Sequence, residues 1–331
     1  MKKIIFCLLI ILVLMLVGCT KENQKSISSG LYSVKDCTEE VVQFEQRPQR
    51  ILALGTGIPE ILVDVVGPER VVAIPKYFED DRVSFIAEKA KKIKLKTERV
   101  IPVESILKME PDLVIAPYNA DRAKIETMRS MGLKVFVVKA PHKMTEIEQC
   151  VIDVSKAVGN PDRGLKIVDN MHNIFNIIER TNNKVPLKDR KTVLALSAEG
   201  AFGVKGGLFD DLCHYAVIKN AAGNISLPSG ARISKEAVVK LQPDFLLLPT
   251  ATRMMDDSKM QDSIKEILND PAYMTLKAVR NKQIIALPDK YYRYCVSHYA
   301  AKSAYELAKN VYPAYYKNVD EPELLQGISY E

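Results

Sequence analysis

Tyrosine and arginine gather just past the short apolar runs of this 331-residue chain. Tyr77 lies in KYFEDDR, Tyr118 in YNADR, Phe202 in SAEGAFG, Arg232 in SGAR, Arg253 in TATRMM, and Tyr291, Tyr292 and Arg293 in DKYYRY. A tyrosine offers an aromatic face with a hydroxyl handle, and an arginine offers a planar cation matched to carboxylates. Together they suit a large amphipathic solute that carries negative charge, although any one of them alone reads equally well as an ordinary surface side chain. His142, in APHK, also follows an apolar run and is the histidine able to reach the same place. His172 and His214 fall in helical patterns, where a histidine on a helix face is the commoner reading. The phrases of catalysis are missing: there is no GxSxG, no HExxH and no Walker loop, and GTGIPE lacks the third glycine of a dinucleotide fingerprint. Binding is therefore expected rather than an enzyme activity, with no cofactor and no metal held by the protein itself.

What must position these residues is a set of buried strands. RILALG (50–55), RVVAIP (70–75), DLVIAP (112–117) and KVFVVKAP (134–141) are β-branched or apolar runs bounded by Gly and Pro, the pattern of strands covered on both faces. Amphipathic stretches separate them, so the fold class is α/β with a parallel sheet and right-handed crossovers. TVLALS (192–197), DFLLLP (244–249) and KQIIALP (282–288) repeat the plan. Ligands of such sheets lie beyond the carboxyl ends of the strands, which is where the tyrosines and arginines stand. The expected organisation is an N-terminal lobe over 45–142, a helical linker over 143–189, a C-terminal lobe over 190–316 and a tail over 317–331. In the linker, Thr145 is a candidate N-cap with Glu148 in capping-box position, and Leu165, Val168, Met171, Ile174 or Phe175, and Ile178 mark one long helix over 164–181.

The phrase ESILKMEPDLVIA from Glu104 returns as EAVVKLQPDFLLL from Glu236, one copy per lobe. Pro111 and Pro243 end the helices, Asp112 and Asp244 serve the turns, and the apolar runs enter the sheets. Each glutamate is explained in part as a complement to the helix dipole, but that role does not require the same offset twice.

Residues 1–18 read as a secretory signal: Lys2 and Lys3 precede an apolar run from Ile4 to Val17 that is too short to span a bilayer. The run ends in LVGC, which resembles the lipobox of bacterial lipoproteins and implies lipidation of Cys19, leaving the mature protein anchored on the extracytoplasmic face of the cell membrane. Residues 19–44 then form the lipidated cysteine, a polar tether (TKENQKSISSG) and a lead-in. Removing the signal takes two charges from the formal net charge of +6. The basic run KAKKIKLK (89–96) is expected to be a solvated face rather than a nucleic-acid site. Cys37, Cys150, Cys213 and Cys295 are too widely spaced for a zinc motif and are expected to be buried free thiols.

Taken in order, RPQRILALG, VGPERVVAIPKY, VESILKMEPDLVIAP, GLFDDLCHYAVIKNAAGNI, RISKEAVVKLQPDFLLLP and YMTLKAVRNKQIIALPDKYYRY span most of residues 47–315. The chain resembles the substrate-binding lipoproteins of ABC importers for iron complexes and cobalamin, whose two α/β lobes are joined by one rigid helix. The resemblance implies a monomer that holds a ferric siderophore, or alternatively cobalamin or haem, between its lobes, with His142 or a cleft tyrosine as the axial ligand in the haem case. It places Tyr77, Tyr118 and Tyr292 where such proteins often set an aromatic against the ligand, and it assigns Glu104 and Glu236 to arginine pockets of a permease dimer. Two carboxylates on a stiff frame would then report that both lobes are correctly placed.

Overall fold

In a computed structural model, residues 31–228, 232–328 and 330 are described. The signal segment, Cys19 and the polar tether lie outside the described residues. The first element is a hairpin, β1 (Tyr32–Lys35) and β2 (Val41–Phe44), in the stretch expected to be only a lead-in. Val42 and Phe44 alternate inward from β2, and Tyr32 stacks on Phe44 at 4.8 Å and donates to the Ala157 carbonyl at 2.9 Å.

The first lobe follows as β3 (Ile51–Ala53), α1 (Ile58–Val66), β4 (Ala73–Pro75), α2 (Ala87–Lys92), β5 (Leu95–Thr97), α3 (Val103–Lys108), β6 (Leu113–Pro117), α4 (Arg122–Ser130) and β7 (Val135–Val138). Its parallel sheet runs β3-β6-β7. The RVVAIP run does form a strand, but β4 pairs with β5 in a separate parallel ribbon and meets β3 through a single bridge, Ile51 to Val71. Strand β5 comes out of the basic run. Lys92 and Lys94 there are exposed, whereas Lys96 pairs with Glu79 at 3.1 Å and Lys89 pairs with the buried Asp64.

Two helices join the lobes, α5 (Met144–Ala157) and α6 (Pro161–Asn182). The capping box at Thr145 and Glu148 does not form, because α5 starts one residue earlier. The Met144 N–H is instead donated to the Asp211 carboxylate at 2.6 Å, the His142 N–H goes to Glu146 at 2.8 Å, and Glu148 pairs with His172 at 3.0 Å. Helix α6 has 22 residues, about 33 Å at the usual rise, and starts earlier than its apolar spacing indicates because Pro161 fits a first helical turn. Its inward face is Gly164, Ile167, Met171, Ile174, Phe175 and Ile178, while Leu165 is 40% exposed. A Cβ on Gly164 would lie 2.1 Å from Ser155 Oγ, so this close approach of α5 turns the helix away from the face that Leu165 and Val168 suggest.

The second lobe comprises β8 (Thr192–Ser197), β9 (Gly200–Phe202), α7 (Leu208–Tyr215), β10 (Lys219–Asn220), α8 (Lys235–Leu241), β11 (Phe245–Pro249), α9 (Asp257–Asn269), α10 (Pro271–Met274), α11 (Lys277–Arg280) and β12 (Ile284–Leu287). Its parallel order is β10-β8-β11-β12, with β9 antiparallel to β8. Helices α12 (Ala300–Val311) and α13 (Pro313–Tyr316) close the chain, and α12 packs along α6 opposite α5. Among the described residues no sheet contains strands of both lobes. One apolar cluster runs through both lobes along α5, α6 and α12, and each sheet has a second cluster on its far face.

The repeated phrase has one structural meaning in both lobes. Before each Pro-Asp the chain turns left-handed, at Glu110 (φ 47°) and Gln242 (φ 42°). Asp112 then accepts from the N–H groups of Gln49 and Arg50 at 2.6 and 3.0 Å, ahead of β3, and Asp244 accepts from the N–H and hydroxyl of Thr192 at 2.8 Å, at the start of β8. The aspartates do more than serve the turns, since each fastens the incoming strand beside the first strand of its lobe.

Candidate functional site

A pocket of about 620 Å³ opens on the second lobe, at its boundary with the end of the first. The β8–β9 hairpin supplies Ser197, Glu199 and Phe202, the glycine-rich connection supplies residues 203–207, and Leu208, Phe209, Leu227, Arg232, Tyr292, Arg293 and Val296 complete most of the wall, with His142 entering from the first lobe. Gly203 adopts φ 94°, and a Cβ there would stand 2.6 Å from the Phe209 ring, so glycine is what lets the connection fold over that aromatic. Tyr292 is 1% exposed and donates its hydroxyl to the Leu196 carbonyl at 3.1 Å, so it packs behind the wall and supports Phe202. Phe202 lies 6.0 Å from that ring, nearly parallel to it, and the Arg293 guanidinium sits 5.7 Å from the Phe202 centroid. Arg293 Nη2 lies 3.0 Å from Glu199 Oε2.

The structure thus brings Phe202, Arg232, Tyr292, Arg293 and His142 to one wall and sends the other candidates elsewhere. Arg253 reaches the first lobe: its Nη2 lies 3.3 Å from Thr56 Oγ1, and its guanidinium stands 3.9 Å from the Tyr294 ring and 5.6 Å from the Tyr77 ring. Burial pushes the Tyr77 hydroxyl up to about 12. Tyr291 meets Phe85 edge-on at 5.1 Å, beside Lys290, which donates to the Ser84 carbonyl at 3.1 Å. Arg82 ties the same first-lobe loop to Asp257. Tyr77, Arg253 and Tyr291 are therefore lobe-to-lobe contacts. Tyr118 is 63% exposed and lines a different groove, with Cys37, Glu40 and Arg122.

A second set of polar residues at the lobe boundary has no counterpart among the sequence candidates. Glu60 on α1 accepts from Ser297 Oγ at 2.6 Å and from the Phe85 N–H at 3.2 Å. One turn on, Asp64 lies 2.8 Å from His298 Nε2 and pairs with Lys89, with both Asp64 and His298 fully buried. Burial raises the Glu60 carboxyl. Burial acts the same way on Asp64, but its bonds to His298 and Lys89 prevail and hold it below the usual carboxylate range. The available signal was a pair of carboxylates four residues apart inside the otherwise apolar PEILVDVVG.

Glu104 and Glu236 stand exposed in the first turns of α3 and α8. Glu236 is held below the ordinary glutamate range by backbone N–H and Ser234 bonds. Cys37, Cys150, Cys213 and Cys295 are all free; Cys150, Cys213 and Cys295 are buried as expected, whereas Cys37 is exposed in the turn between β1 and β2, and burial pushes the Cys150 thiol up to about 12. Among the described residues no group of three or more His, Cys, Asp or Glu side chains could hold a metal ion.

Against known proteins, the chain is 20% identical over 256 residues to the uncharacterized ABC transporter substrate-binding lipoprotein YvrC of Bacillus subtilis, covering 73% of this chain and 79% of the relative. Among solved structures it is similar to the periplasmic heme-binding protein RhuT from Roseiflexus sp. RS-1, with TM-score 0.67 and 22% identity over 81% of this chain and 99% of the other. It is also similar to Helicobacter pylori CeuE with Ni(II) bound, with TM-score 0.68 and 20% identity over 87% and 91% of the two chains. A profile of the family described as periplasmic binding protein matches residues 51–291, most of the two parallel-sheet lobes, and the chain belongs to that family.

Proposed function

We propose that this chain is the extracytoplasmic solute-binding lipoprotein of an ABC importer, anchored through Cys19, and that it captures an anionic iron complex of the ferric-siderophore class. The observation that carries this reading is the pocket wall, where the Phe202 ring, backed by the buried Tyr292, lies with Lys205, Arg232 and Arg293. Rings accept the apolar ligand skeleton, and cations accept its charge. Family membership and the likeness to YvrC support the transport role. In this reading the protein works as a monomer, and Glu104 and Glu236 meet the two halves of a permease dimer.

His142 favours a second reading. It lines the same pocket from the end of the first lobe, and its imidazole would serve as a ligand to a haem iron there. Titration with a ferric siderophore, haemin and cobalamin distinguishes the two, with tyrosine emission as the signal because the chain has no tryptophan. The siderophore reading expects saturation at one complex per chain that is unaffected by H142A. Haemin binding alone, with a Soret shift lost in H142A, would replace it by the haem reading.

A further inference from the structure

The pocket holds one carboxylate among its cations. Glu199 occupies the tight turn of the β8–β9 hairpin, where Ser197 and Gly200 pair across the strands, and it faces the cleft. Ser197 Oγ donates to Glu199 Oε2 at 2.7 Å and accepts from the Glu199 N–H at 3.2 Å. Arg293 Nη2 lies 3.0 Å from the same Oε2, with both side chains 28% exposed. Lys205 and Arg232 line the same pocket, and among the described residues neither has an ion-pair partner. Arg293 is thus the one cation of the three that is answered from within. Burial works against the ionised form, yet the Ser197 and Arg293 bonds hold the Glu199 carboxyl below the usual glutamate range, so it is charged at neutral pH.

We propose that Glu199 is a specificity-determining residue that sets the charge the pocket accepts, by occupying Arg293 until a ligand acceptor displaces it. This rests on the pocket being the solute site. A ligand acid meets Lys205 and Arg232 directly and reaches Arg293 only by taking the place of Glu199, which then stands beside the ligand without its partner. Weakly charged complexes avoid that exchange. Complexes with acids on every face cannot, and each of their charges is repelled by the displaced carboxylate. The pocket should therefore prefer a complex with one acidic edge and an otherwise neutral, apolar surface to an evenly polyanionic one.

The test compares the full chain with its E199Q variant, which keeps the size and hydrogen-bonding shape of the side chain but not its charge. The probes are a neutral ferric trishydroxamate, haemin with its two propionates, and a trianionic ferric triscatecholate, followed by tyrosine quenching and calorimetry. E199Q is expected to raise the ratio of triscatecholate to trishydroxamate affinity about tenfold, a change of about 1.4 kcal/mol. E199A, lacking any partner for Arg293, should move the ratio the same way, which guards against a local effect of the amide. An unchanged ratio, with all affinities moving together, overturns the role of Glu199 and leaves the solute site standing. No binding of any probe by the unaltered chain overturns both, so the two failures are distinguishable.

Discussion

Two acid–base contacts, one at the lobe boundary and one in the pocket, stand in opposite surroundings. Asp64 and His298 are fully buried, with Lys89 completing the group. Glu199 and Arg293 are each 28% exposed and face a pocket. A buried pair has no water to turn to, so removing one partner strands a charge, at a cost of about 3–5 kcal/mol. A half-exposed pair exchanges partners at far smaller cost. The first arrangement fastens the lobes, and the second leaves a cation available to a ligand. A single ridge of packed helices and one buried polar joint then favour small, stiff closure over wide hinge bending.

The largest break in this comparison is at the joint. H298L should lower stability by about 2–3 kcal/mol in urea denaturation, because Asp64 keeps its pairing with Lys89 but one buried carboxylate oxygen loses its hydrogen bond. A loss below about 1 kcal/mol would mean that the two pairs do not differ in kind.

Acid titration sharpens the contrast further. Asp289 lies buried beneath Arg293, and burial pushes its carboxyl from 3.8 to about 6. Between about pH 4 and 6 the folded protein holds a proton that the unfolded chain has released, so this group lowers stability as pH rises through that window. At about 1.36 kcal/mol per pKa unit the effect approaches 2–3 kcal/mol, and D289N should flatten the stability profile there. Asp64 acts in the opposite direction: with its carboxyl held low, its contribution is present above about pH 4 and lost as pH falls through its lowered folded value. A D289N profile that parallels the parent from pH 4 to 6 would refute the assignment.

The smallest effect on the isolated protein is expected from E104K combined with E236K. Both side chains are exposed, so melting temperature and solute affinity should barely move while uptake in cells is abolished. Transport at the parental rate would leave these glutamates as helix-terminal charges and nothing more.

The strands and the two-lobed plan were legible because apolar runs bounded by Gly and Pro carry their own signal, and because the Pro-Asp phrase repeats. The buried joint was not: Glu60 finds Ser297 across 237 positions and Asp64 finds His298 across 234, a separation that no local pattern reports. DKYYRY shows the same limit within three residues. Tyr291 turns to Phe85, Tyr292 sinks into the core and Arg293 faces the pocket, because the segment leaves its short 3-10 turn at Tyr291 and each following side chain takes a new direction. The start of α6 was obscured for a related reason, since a glycine on its inward face packs closely while contributing nothing to an apolar count.

The solute is placed against the wall formed by Phe202, Arg232 and Arg293. The decisive measurement is calorimetric titration of the unaltered chain and of an R232Q/R293Q variant with an anionic ferric siderophore. One complex per chain, weakened about a hundredfold or more in the variant without loss of thermal stability, is the result this account predicts. Equal affinity in the two proteins would contradict it.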